Sequence, residues 1–181
     1  MIFTMKQTLF LLLIIITVAA GFTPGKSAVT QSAVTFQAKN LGVNIPGTLA
    51  GLQANIQFNP ANLAASSVEA TVDVNTINTD NSSRDDHLKS QDFFDVAHYP
   101  KITMRSVSFI HKSGNNYTGE FTLTIKNKSK LIQVPFSYTE KNNVMEFKGA
   151  FKINRVDFGV GESSMILSDD VTVNITVALT R

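Results

Sequence analysis

From Val34 onward the chain alternates apolar and polar residues with a period of two, the signature of strands buried on one face. Val34, Phe36 and Ala38 fall on one side, with Thr35, Gln37 and Lys39 opposite. The same alternation runs through residues 52–58, 68–74, 102–104, 117–125, 132–138, 145–153 and 171–179. Turn-forming stretches lie between these runs: Asn59-Pro60, Ser113-Gly114-Asn115-Asn116, Lys141-Asn142-Asn143 and Ser168-Asp169-Asp170. The pattern predicts an all-β fold of about eight antiparallel strands, joined mostly by hairpins, as a barrel or a sandwich. A closed barrel leaves no sheet edge, and at about eight strands its interior has room for one small ligand.

One stretch breaks the alternation, from Thr79 to Pro100. Asp80 or Asn81 can cap a short helix running through Leu88, with Asp85 and Lys89 paired at i,i+4. Phe93 and Phe94 follow as an apolar plug, and an insert of this kind would lie over one mouth of a barrel as a lid. The inward rows carry Phe36, Phe58, Phe121, Phe136, Phe147 and Phe151, interleaved with Gly119, Gly149 and alanines. Phenylalanine offers large apolar area without a polar atom that needs a partner. Periodicity alone leaves two interiors open: a solid core, slightly the simpler reading, and a ligand cavity.

The N-terminus reads as a leader. Lys6 is followed by an apolar run from Leu9 to Ala20, with Val18 and Ala20 at the −3 and −1 positions of a signal-peptidase cut. The run falls short of the ~20 apolar residues needed to span a bilayer. Residues 1–20 are therefore expected to be a signal peptide, 21–28 a linker and 29–181 the folded domain, periplasmic or secreted and without stable membrane insertion after cleavage. The net charge is +2, and the leader takes away one cation and no acid. That balance, with no Lys/Arg stripe, gives no basis for binding nucleic acid. The chain has no Cys, which excludes disulfides, a thiol nucleophile and a Cys zinc site. His87, His98 and His111 show no metal-ligand spacing, and no G-x-S-x-G elbow occurs, so neither a metal, a cofactor nor an enzyme activity is expected.

Several blocks, in order, resemble the YceI-like family of lipid- and polyisoprenoid-binding periplasmic proteins. They include Ser32-Ala33-Val34-Thr35-Phe36, Lys39-Asn40-Leu41-Gly42, and Ile56-Gln57-Phe58-Asn59-Pro60. The most specific runs from Ile77-Asn78-Thr79 through Arg84-Asp85-Asp86-His87-Leu88 to Asp92-Phe93-Phe94-Asp95 and Tyr99-Pro100. Ile153-Asn154-Arg155-Val156-Asp157-Phe158-Gly159-Val160-Gly161 and Leu167-Ser168-Asp169-Asp170-Val171 complete it. The resemblance implies a lipocalin-like antiparallel barrel whose cavity carries or stores a long-chain apolar ligand: a polyisoprenoid, a quinone precursor or a fatty amide. The alternative is a structural or stress-response barrel with a solid, Phe-filled core.

On the ligand reading, the cavity-lining candidates are Phe36, Phe58, Met104, Phe121, Leu123, Phe136, Phe147 and Phe151, with Phe93 and Phe94 from the insert. Arg84, His87 and Leu88 share a helix face by i, i+3, i+4 spacing, which makes Arg84 and His87 candidates for polar contacts at the mouth. Asn154 and Arg155 are the other two. Each of the four also has a structural reading, as part of a hydrogen-bond network or a fixed turn. An exposed strand edge would allow a homodimer.

Overall fold

The computed structural model describes residues 28–180; the expected leader and nearly all of the linker lie outside them. The described chain forms β1 (Ala28–Asn40), β2 (Val43–Leu49), β3 (Gln53–Gln57), β4 (Ser67–Asp73), α1 (Ser82–Lys89), β5 (Lys101–Ser113), β6 (Asn116–Ile125), β7 (Lys128–Lys141), β8 (Val144–Asn154) and β9 (Asp170–Thr180). All ladders are antiparallel, in one sheet of order β2-β1-β9-β8-β7-β6-β5-β4-β3. From β4 to β9 each strand pairs with the next. The turn between β7 and β8 shows why: Asn142 and Asn143 take φ of 53° and 62°, the left-handed pair that a two-residue hairpin requires.

The ninth strand, beyond the expected eight, is β2. Pro46 and Gly47 break its alternation, and a proline argues against a central strand. But β2 is an edge strand that pairs with no strand except β1, a position where a proline is tolerated. β2 and β3 form the two edges of the sheet, yet only Ala50-Gly51-Leu52 separates them. The four Cα steps from Leu49 to Gln53 reach at most ~14 Å, so the sheet must curl until these ends of its two edges lie close together. Gly51 makes the corner at φ 70°, open to glycine without strain. Near the seam, Thr48 and Asn78 exchange backbone hydrogen bonds of 2.8 and 3.1 Å, and the Ala50 N–H donates to Thr76 Oγ1 at 2.9 Å. The result is the expected lipocalin-like barrel with a short helical insert.

Alternation sends one face of the curled sheet inward. On β6, Tyr117, Gly119, Phe121, Leu123 and Ile125 are all buried. On β5 a bulge shifts the register against β6 between Ser106 and Ser108. An extra residue reverses which positions face in. Ile102 and Met104 therefore line the interior before the bulge and Phe109 joins it after, while Val107 and Ile110 are left 56% exposed.

Helix α1 starts as expected. Asn81 is its N-cap, with Oδ1 accepting from the Arg84 N–H at 2.9 Å. The expected Asp85–Lys89 pair gives way to another partner. Asp85 is buried, and its Oδ1 accepts from the Thr79 N–H at 2.9 Å and the Thr79 hydroxyl at 2.6 Å. A buried carboxylate needs such donors, and an exposed i,i+4 pair worth only ~0.2–0.5 kcal/mol cannot compete.

Candidate functional site

The barrel interior divides into two tiers along its axis. Toward the end where α1 lies, a cavity of about 160 Å³ opens among Val34, Phe36 and Ala38 of β1, Ala70 and Val72 of β4, Ile102 and Met104 of β5, Leu123 and Ile125 of β6, Phe151 and Ile153 of β8, and Val171, Val173 and Ile175 of β9. Its walls are almost wholly apolar. Leu88, Phe93, Phe94, Val160 and Leu167 join the lining at the α1 end, and Leu49, Leu52, Thr71, Ile77 and Arg155 also border the cavity. A void of this size compares with a ~150 Å³ apolar cavity that stays dry and admits benzene.

The other tier is solid. Phe58 is its hub, with ring centroids 5.6 Å from Phe109, 5.2 Å from Tyr117, 5.7 Å from Phe136, 4.9 Å from Tyr138 and 5.4 Å from Phe147. Phe109 meets Phe121 edge to face at 5.8 Å, and Tyr117 stacks on Phe136 at 5.6 Å. Edge-to-face pairs of this kind add ~0.5–1.5 kcal/mol each beyond the area they bury.

The ten expected apolar lining residues therefore separate. Phe36, Met104, Leu123, Phe151, Phe93 and Phe94 border the cavity. Phe58, Phe121, Phe136 and Phe147 do not; they pack against other rings in the solid tier. All face inward, and the face of a strand does not reveal the height at which a ring finds partners. Phe109 belongs to the same cluster and was missed because of the bulge; its signal in the sequence is an aromatic at an odd-numbered position after the even-numbered Ile102 and Met104.

The four polar candidates turn to the protein itself. Arg84 Nε donates to Thr79 Oγ1 at 2.8 Å and its Nη2 to the Thr79 carbonyl at 2.6 Å. His87 is exposed on its side chain by 62%, its ring edge-on to Phe93 and 3.9 Å from Asp92. Asn154 Oδ1 accepts from the Val156 N–H at 2.9 Å, fixing a turn. Neither Arg84, His87 nor Asn154 lines the cavity. Arg155 does border it, but is 5% exposed and donates to the carbonyls of Ser168, Val160, Glu162 and Leu167 and to Asp169 Oδ1, at 2.8–3.2 Å. It organises the loop that brings Val160 and Leu167 to the cavity.

The lid is tied down by a residue that sequence spacing did not single out. Lys126, in the β6–β7 turn at φ 54°, donates from Nζ to the carbonyls of Phe93 at 2.9 Å and Gly159 at 3.0 Å. The Gly161 N–H adds a bond of 3.1 Å to the Asp92 carbonyl. Among the described residues no group of three or more His, Cys, Asp or Glu could hold a metal ion. At the exposed end of β4, the Asn75 N–H, 2.8 Å from Asp73 Oδ1, holds the Asp73 carboxyl below its ordinary pKa.

The sequence model of the YceI-like domain matches residues 26–179. The chain belongs to the YceI-like family. Protein YceI of Escherichia coli O157:H7 is 30% identical over 153 residues, spanning 80% of this chain and 78% of the relative. A UPF0312 protein of Vibrio cholerae is 26% identical over 146 residues, spanning 75% and 77%. Among solved structures, Burkholderia cenocepacia BcnA superposes with a TM-score of 0.79 at 28% identity, covering 82% of this chain and 96% of its own. A polyisoprenoid binding domain of Saccharophagus degradans, implicated in plant cell wall breakdown, reaches 0.69 at 15% identity, covering 86% and 97%, a likeness of fold alone. The YceI-like barrel described above is the fold these chains share. Among the described residues no helix is long and apolar enough to cross a membrane.

Proposed function

We propose that this YceI-like protein binds the apolar chain of a lipid or isoprenoid in the cavity tier and carries or stores it, as an exported protein. The observation that carries the reading is the cavity itself, walled almost wholly by apolar atoms and bordered by Phe93 and Phe94 of the insert. Burying a methylene is worth ~0.8 kcal/mol, so a chain binds there without any directional contact. The polyisoprenoid binding of the Saccharophagus degradans domain agrees with the reading and adds fold-level support only. The solid aromatic tier is what the alternative, a barrel without ligand, would extend through the whole interior. If two copies pair through a strand edge, β2 and β3 are the strands that offer one.

Organic extraction of the purified protein followed by mass spectrometry tests the proposal. The expected result is a long-chain apolar molecule near stoichiometric amount, lost in Ala38→Phe, whose added ring fills the cavity beside Phe36. An extract without such a molecule, or one unaltered by Ala38→Phe in a folded protein, speaks for the barrel without ligand.

A further inference from the structure

We propose that the aromatic tier is a ruler: it fixes how much of a chain the barrel accepts, so that this protein selects its ligand by the length of the apolar segment. The inference rests on the ligand-binding reading above and adds what that reading leaves open, the basis of selection.

Two strands end their contribution to the cavity after the same span, from Val34 to Ala38 on β1 and Val171 to Ile175 on β9, while β8 lines it with Phe151 and Ile153 and Arg155 borders it just beyond the strand. Four residues of strand rise ~13 Å, or ~10 Å along the axis of a barrel with tilted strands. Below that level the space is filled. Phe121 is the next inward residue on β6 after the cavity-lining Leu123, one inward step of ~7 Å down the strand. Its ring meets Phe109 at 5.8 Å, and Phe109 meets Phe58 at 5.6 Å, ring edge against ring face. Such close-packed rings leave a chain no route between them.

The floor is also held in place. A Cβ at Gly119 would overlap the Phe121 ring and lie 3.2 Å from Phe109, so the glycine supplies the room in which Phe121 folds back. At the other end the chemistry offers little to choose by. The Arg155 guanidinium is engaged by four carbonyls and Asp169, and the Arg84 guanidinium by Thr79. With no polar group offered by the wall, shape and depth remain as the selective features. Affinity then climbs about fourfold with each methylene that enters, and stops climbing once the tail reaches Phe121.

The test is a set of straight-chain fatty alcohols of increasing length, each titrated against the delipidated protein by displacement of a fluorescent apolar probe. The wild type is expected to gain about fourfold per carbon and then level off. Phe121→Ala should level off at a longer chain. Phe109→Leu, a milder opening of the same floor, should move the plateau in the same direction and serves if Phe121→Ala does not fold. A plateau at the same length in a folded floor variant, or affinity that rises without limit in the wild type, overturns the ruler while leaving the binding reading intact. Absence of binding at every length overturns both.

Discussion

Gly47 shapes the cavity wall by what it lacks. The Phe36 ring lies across its backbone, in space that a Cβ would overlap. Gly47→Ala is expected to push that ring toward the cavity at a cost of ~1–3 kcal/mol, the usual range for overpacking. Denaturant unfolding measures the cost, and weaker uptake of an apolar fluorescent probe by the folded variant measures the lost room. The charged residues show the opposite logic, since their positions are set by what they must satisfy. Arg155 is buried, so its donors have to find acceptors, and the backbone carbonyls of residues 160–168 provide most of them. The spacing of Arg84, His87 and Leu88 places them on one side of a helix, but cannot tell which of them meets the barrel. Leu88 does; Arg84 is captured by Thr79 and His87 stays in solvent. Local hydrogen-bond partners outcompeted the shared face.

Helix α1 has only eight residues, too few for an isolated helix to be stable in water. It is held by its Asn81 cap and by the Asp85–Thr79 bonds, and the segment after it is held by Lys126. Lys126 joins two parts of the cavity rim, because its ammonium reaches both the Phe93 and the Gly159 carbonyls. Lys126→Met removes both bonds while keeping a long apolar stem. The expected outcome is faster amide hydrogen exchange over residues 90–100 and several-fold faster release of a bound apolar probe, with the β-sheet amides unchanged. Unchanged exchange in that segment would show that packing of Phe93 and Phe94 alone holds the lid. The elements themselves were legible to different degrees. Eight strands and the capped helix follow from period and turn chemistry. The edge strand β2 did not, since Pro46 and Gly47 erase its pattern, and the bulge in β5 hid Phe109 by reversing the alternation midway.

At the scale of the whole barrel, stability and cavity occupy different tiers. Phe58 packs against five other rings, and Phe58→Ala should cost ~3–5 kcal/mol, as expected for an aromatic side chain removed from a close-packed core. Phe36→Ala should cost clearly less, because the Phe36 ring already borders a void and gives up fewer contacts. Equilibrium unfolding of the two variants in urea compares them directly; equal costs would mean that the tiers are packed alike. The two-residue alternation by itself determined that the chain forms antiparallel strands with one apolar face, since burying that face is the dominant gain available to it. It left open whether those faces would meet inside a barrel or between two sheets, and the short link between the edge strands β2 and β3 decides for the barrel. Only the tertiary structure decided where along the axis the rings close on one another and where they leave a space. That depends on register, on the bulge in β5 and on glycines such as Gly47 and Gly119 that let a ring fold back. Apart from Gly119 and Phe121, which are neighbours on β6, those are contacts between different strands, which no local pattern encodes.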